Sequence, residues 1–165
     1  MIYKPHDYQK YATEFILSHP VAAVILQMGL GKTVCTLDAI EQLMYDRFEV
    51  RKVLVIAPLR VAKVTWSDEI KKWDNLSHLR YSIAVGTEKE RVEALKKDAD
   101  IYIINRENVQ WLVEKSKIPF EFDMVVIDEL VLVYKCGQKK LNNLYYQVKE
   151  QRRRSTWRKT KNLTL

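Results

Sequence analysis

Met28-Gly29-Leu30-Gly31-Lys32-Thr33 decides how this sequence folds. It lies between an apolar run at residues 21–26, rich in β-branched side chains, and a helix-like stretch at residues 34–45. Leu37, Ile40, Leu43 and Met44 give that stretch an apolar face at three- and four-residue spacing. Strand, glycine-rich turn ending in Lys-Thr, then helix is an arrangement that cradles a triphosphate. Gly29 and Gly31 let backbone N–H groups turn inward towards phosphate oxygens, with Met28 and Leu30 completing the turn. Lys32 is expected to reach the β- and γ-phosphates, and the Thr33 hydroxyl to ligate Mg²⁺. The general pattern carries a glycine five residues before Gly31, where this chain has Leu26. A plain glycine turn between a strand and a helix is the alternative at this point.

The same alternation continues on both sides. Residues 7–17 read as a helix, with Tyr8, Tyr11, Ala12, Phe15 and Ile16 on one face, ended by His19-Pro20. Short apolar runs at 52–57, 80–85, 101–104 and 124–127 read as strands. Amphipathic stretches at 60–73, 88–97 and 109–114 read as helices. Strands and helices alternating at this spacing predict a mostly parallel sheet covered on both faces, whose ligands sit beyond the strand carboxyl ends.

Met124-Val125-Val126-Ile127-Asp128-Glu129 places two carboxylates at such an end. Asp128 could hold Mg²⁺ through its bound water, and Glu129 could orient and deprotonate an attacking water. Any strand that ends in a solvated acidic turn has the same pattern. Its position about a hundred residues after Gly-Lys-Thr favours the chemical reading.

The chain has 165 residues, 47% hydrophobic and 30% charged, enough for one domain with a proper core. No apolar run is long enough for a membrane span and no signal-peptide pattern opens the sequence, so a cytoplasmic protein without membrane partners is expected. Cys35 and Cys136 stand apart from one another and from any His cluster, as reduced thiols do. The net charge of +7 is unevenly spread. Residues 131–165 hold ten basic side chains and Glu150 as the lone acid, which leaves residues 1–130 slightly acidic. Excess positive charge therefore belongs to the tail and does not imply a basic groove in the body.

With both motifs in view, residues 1–130 resemble the first RecA-like domain of superfamily 2 helicase-like ATPases, and most of all the Swi/Snf-type DNA translocases in the form found in phages and prophages. Met-Gly-Leu-Gly-Lys-Thr matches the phosphate loop of that family, although Gln27 stands where the family usually carries an acid. Lys4-Pro5-His6-Asp7-Tyr8-Gln9 resembles its adenine-recognition motif, which would put Gln9 on the base edge. Ala57-Pro58-Leu59-Arg60 and Ile104-Asn105-Arg106-Glu107 resemble its DNA-backbone motifs, and Val85-Gly86-Thr87 the loop between them. The resemblance thus implies ATP and Mg²⁺ as cofactors and DNA, duplex and not read by sequence, as partner. It assigns Pro58, Leu59, Arg60, Asn105 and Arg106 to phosphate contacts. Trp66, Trp73 and Trp111 read as packing aromatics.

After Glu129 the resemblance stops. Leu130-Val131-Leu132-Val133-Tyr134 replaces the small residues and helix expected there, and no Ser/Thr-rich coupling motif follows. In the family the strand carrying that motif lies between the phosphate-loop strand and the Asp-Glu strand. Its loss is expected to leave the sheet incomplete, unless residues 131–134 extend the Asp-Glu strand or form another. Residues 138–154 could form a helix. The basic tail at 131–165 is either a truncated or frame-shifted product or an arm that binds nucleic acid. The second RecA-like domain, with its arginine fingers, is not in this sequence and could come from another chain. Fragmentary, negligible turnover is the expectation. A non-catalytic nucleic-acid- or partner-binding protein, or another small P-loop NTPase such as a kinase, are the alternatives.

Overall fold

The computed structural model describes residues 1–128 and 132–135, and in the second segment the side chain of Val133 alone. Helix α1 (Asp7–Ser18) starts where Gln9 reaches back to accept from the His6 amide at 2.9 Å. Strand β1 (Val21–Ala23) is three residues long, shorter than the apolar run predicted, because the chain leaves the sheet after Ala23 to enter the glycine-rich turn. Helix α2 (Lys32–Glu41) begins two residues earlier than its apolar face suggests. Gly31 adopts the left-handed conformation at its N-cap, φ +79°, which lets the helix open directly at Lys32. At its far end α2 widens into a π-type turn (Gln42–Asp46), closed by Arg47 N donating to Gln42 O at 2.9 Å.

Strand β2 (Val53–Ala57) is followed by a second π-type turn (Val61–Thr65) and α3 (Trp66–Lys72). Then come β3 (Tyr81–Ala84), α4 (Glu88–Lys96), β4 (Ile101–Asn105), α5 (Val109–Glu114), β5 (Met124–Ile127) and β6 (Leu132–Lys135). The sheet order is β1-β6-β5-β2-β4-β3. Strands β5, β2, β4 and β3 pair in parallel, and β6 pairs antiparallel with both β1 and β5.

Successive side chains of a strand point to opposite faces, and the core divides accordingly. Val53, Val55 and Ala57 of β2 join Ile101, Ile103, Met124 and Val126 beneath α1, α2 and α3. Leu54 and Ile56 join Tyr102, Ile104, Val125 and Ile127 beneath α4 and α5. Uninterrupted apolar strands are thus explained by two covered faces. Trp66 and Trp111 are packed in these layers and Trp73 is half-buried, as expected for core aromatics.

Of the two outcomes left open after the acidic pair, an incomplete sheet or a further strand, the structure shows the further strand. The place between β1 and β5 is not a gap: β6 fills it, with Val133 fully buried at its centre. Residues 132–135 pair antiparallel with β5, so the strand that completes the sheet arrives from the opposite direction. Its backbone groups satisfy both neighbours either way. Glu129, Cys136 and the helix expected at 138–154 lie outside the described residues. Among the described residues no helix is long and apolar enough to cross a membrane.

Candidate functional site

Register fixes where the loops meet. Ala23 of β1 and Ile127 of β5 both pair with Leu132 of β6. Their carboxyl ends are therefore level and two strand spacings apart, about 10 Å. Ile127 also pairs with Ile56, Ile56 with Ile104, and Ile104 with Ala84. Five carboxyl ends thus share one edge of the sheet, and the loops predicted to carry chemistry leave from it side by side. The β1–α2 turn and Asp128 form one end of the row. Residues 58–60, 105–106 and 85–87 follow in that order.

In the β1–α2 turn both glycines have positive φ, +84° at Gly29 and +79° at Gly31. Around Gly29 a Cβ would meet nothing within 4 Å, so its outer side is open to a ligand. At Gly31 a Cβ would fall 2.5 Å from Gln9 Nε2, so the turn is packed from behind. The first α-type bond of α2 runs from Cys35 N to Gly31 O at 3.1 Å. The amides of Lys32, Thr33 and Val34 precede it, and at a helix N-terminus such amides favour an anion. Met28 is 95% exposed and Leu30 is also exposed, so these two can serve a ligand through their backbone and not by enclosing it. The Lys32 ammonium donates to the carbonyls of Leu26 at 2.7 Å and Gln27 at 3.2 Å. Carbonyls are neutral acceptors and do not balance the ammonium's charge, as a phosphate can. Loop shape, open glycine face and lysine therefore fit a nucleotide triphosphate.

Asp128 is half-buried, its main chain fixed by donation to Ile56 O at 2.9 Å. Thr33 is half-buried at the first turn of α2. A hydroxyl and a carboxylate are the hard oxygen donors that Mg²⁺ takes along with waters and phosphate.

Gln9 is 8% exposed, and its carboxamide has a structural task that the sequence did not reveal. Oε1 accepts from His6 N, and Nε2 donates to Leu30 O at 3.3 Å. The side chain ties the start of α1 to the phosphate loop, and one N–H and one lone pair remain for a base. Thr13 adds a second tie, donating to Cys35 O at 3.3 Å. Beneath the loop, burial pushes the Cys35 thiol above its ordinary pKa, which suits packing better than nucleophilic chemistry.

Along the rest of the edge Leu59 and Arg60 are exposed, and among the described residues Arg60 makes no hydrogen bond or ion pair. Asn105 is 6% exposed and is spent locally. It donates to Glu107 Oε2 at 2.8 Å and accepts from Asn108, closing the short 3₁₀ turn Arg106–Asn108. Arg106 stands half-buried at the head of that turn.

A mostly parallel α/β sheet with a glycine-rich turn before a helix and an acidic strand end on one edge is the architecture of the RecA-like P-loop proteins. Within that class the chain belongs to the SNF2-related domain family, which matches residues 8–155 and so continues past the acidic pair. Putative protein p41 of Acyrthosiphon pisum secondary endosymbiont phage 1 is 36% identical over 128 residues, covering 77% of this chain and 28% of that one. The bifunctional helicase and thymine dioxygenase JBP2 of Trypanosoma cruzi is 27% identical over 130 residues, 70% of this chain and 12% of that one. Among solved structures the Sulfolobus solfataricus SWI2/SNF2 ATPase core in complex with dsDNA aligns with a TM-score of 0.59 at 25% identity, over 76% of this chain and 26% of that one. A nuclease-deletion mutant of the Type ISP restriction-modification enzyme LlaGI, in complex with a DNA substrate mimic, shares the fold at a TM-score of 0.51 and 21% identity, over 76% and 15%. The chain thus spans between about an eighth and just over a quarter of these relatives.

Proposed function

We propose that this chain is the nucleotide-binding lobe of a Swi/Snf-type DNA-dependent ATPase. ATP with Mg²⁺ sits on the β1–α2 turn, and a DNA backbone runs along the β2, β4 and β3 loops. The observation that carries this reading is the shared carboxyl edge, with the open Gly29 face and Lys32 at one end and Arg60 and Arg106 towards the other. Lys32 exchanges its carbonyl partners for the β- and γ-phosphates, while Thr33 and Asp128 hold the metal. Glu129 orients water, and Gln9 offers its remaining N–H and lone pair to adenine. Pro58 and Leu59 present backbone, Arg60 and Arg106 present charge, and Asn105 sets the turn that aims Arg106. Such contacts position DNA without reading its sequence.

In the whole-length family, hydrolysis drives translocation on duplex DNA, and the resemblance places arginine fingers on a second domain. Removing such groups costs on the order of 10³–10⁵ in related phosphoryl transfers, so this chain by itself binds Mg-ATP with negligible turnover. A second reading has support in β6, which runs antiparallel where the family has the strand bearing its coupling motif. In that reading nucleotide is bound but not relayed to DNA.

Calorimetric titration with ATP and Mg²⁺ tests the first reading. K32A is expected to weaken binding by at least about tenfold, or 1.4 kcal/mol. No heat of binding in the parent would defeat the nucleotide assignment. Duplex-stimulated hydrolysis that vanishes in K32A would instead overturn the claim of negligible turnover.

A further inference from the structure

The far end of the site edge contains an arginine that no motif singles out. After β3 the chain turns at Gly86, φ +95°, and Thr87 caps α4 in a reciprocal box with Glu90. Arg91, four residues on from the cap, points back over this turn and donates from Nη1 to Gly86 O at 2.6 Å. Its guanidinium lies 4.1 Å from the centroid of the Trp111 ring. Trp111 belongs to α5, the helix that follows the Asn105–Asn108 turn after β4, and is 9% exposed. One side chain thus joins the loop after β3 to the helix after β4, two elements that the parallel β3–β4 pairing brings alongside.

The chemistry of this junction is unusual for a packing contact. Among the described residues Arg91 Nε and Trp111 Nε1 are both buried without a hydrogen-bond partner. Buried donors are nearly always paired, and although Arg91 as a whole is half-buried, an apolar residue there would have left no such donor. What an apolar residue cannot do is hold the Gly86 carbonyl and place a cation over an indole at once. A lysine could supply the charge, but its single ammonium cannot both reach the Gly86 carbonyl from one nitrogen and keep a delocalised cation over the ring. Close by, Glu90 is held as a carboxylate, its pKa below the ordinary value through the Thr87 hydrogen bonds, with Lys63 adding to the effect. The π-type turn Val61–Thr65 that carries Lys63 follows Arg60 directly.

We propose that Arg91 is the positioning residue of the nucleic-acid face: it clamps the 85–87 loop onto α5, so that this loop and the Arg106 turn meet a DNA backbone as one rigid surface. The proposal rests on the reading of this edge as a nucleic-acid face. Arg91 acts through Gly86 and Trp111 and need not touch DNA.

Amide hydrogen exchange on the full chain, with and without a 20-base-pair duplex, tests both layers. In the free protein R91Q and R91K should both raise exchange at residues 85–90 by about tenfold, a local opening that leaves β3 and β4 protected. W111F keeps the ring face and should leave that loop as protected as the parent. With duplex added, the parent should gain protection at 85–87 and 105–108 together, whereas R91Q should gain it at 105–108 alone. The salt dependence of DNA affinity gives a separate readout. A positioning role leaves its slope unchanged in R91Q, whereas a direct phosphate contact lowers the slope by about 0.9 and is rescued by lysine. Unaltered exchange at 85–90 in R91Q, or rescue by R91K, would overturn the proposal. Absence of DNA protection anywhere on the edge in the parent would instead overturn the nucleic-acid reading, while the free-protein exchange still decides the clamp.

Discussion

Gly29 and Gly31 share a left-handed backbone but not an environment, and this separates binding from stability. An L side chain in that conformation costs about 1–2 kcal/mol. At Gly29 the added methyl points into open space, so G29A should lose only about 1 kcal/mol in urea unfolding while blocking phosphate approach. In G31A the methyl also meets Gln9 Nε2, and a loss of at least about 2 kcal/mol is expected, with α1 loosened from the loop. Equal losses in the two variants would contradict this division. On the opposite edge Asp100 is 4% exposed and accepts from Tyr45 OH, Arg80 N and Arg80 Nη2. Burial alone would raise its pKa, but the Arg80 hydrogen bonds outweigh it and hold the carboxyl below its ordinary value. A depressed folded pKa adds stability that is present above about pH 4 and is lost as pH falls through the folded value. D100N should therefore be less stable than the parent at pH 7, and the difference should shrink in acid, measured by urea unfolding from pH 7 to pH 3. At this scale the sequence was half legible. Spelling gave the loop and the residues around it, whereas the contact of Gln9 with Leu30, 21 residues away, has no local signature.

Among the elements, the parallel strands announced themselves as apolar runs because both their faces are covered, and their order placed the loops on one edge. Strand β6 did not. Residues 131–134 are apolar enough for a strand, but direction depends on the length of the connection, and four residues permit only a hairpin back along β5. The π-type turns were equally hidden, since an i→i+5 bond changes the backbone without changing which side chains are apolar. Because β6 bonds to β1 on one side and β5 on the other, it ties the phosphate-loop strand to the acidic strand. V133P removes an amide at the centre of that tie and should cost about 3 kcal/mol or more, measured as a shift in the urea midpoint. V133T keeps the amide and the β-branch, and should fold with a smaller loss from its buried hydroxyl. If V133P were as stable as the parent, β6 would not be an integral strand.

For the molecule as a whole, strand β6 lies within the basic stretch that follows residue 130. A deletion from 131 onwards would therefore unpair β1 and β5 and say nothing about the arm. The informative deletion removes residues 136–165, which hold nine basic side chains against Glu150. What remains is close to neutral, with basic side chains presented at the edge loops. If the arm supplies the electrostatic part of DNA binding, the full chain should lose affinity steeply with salt, with a slope near 0.9 for each phosphate it neutralises. The 1–135 form should bind duplex at least about tenfold more weakly at low salt and with a shallower slope, while its ATP affinity stays unchanged. That combination assigns attraction to the arm and placement to the edge. Equal slopes in the two forms would place all the phosphate contacts on the folded body, and the arm would then have no part in holding DNA.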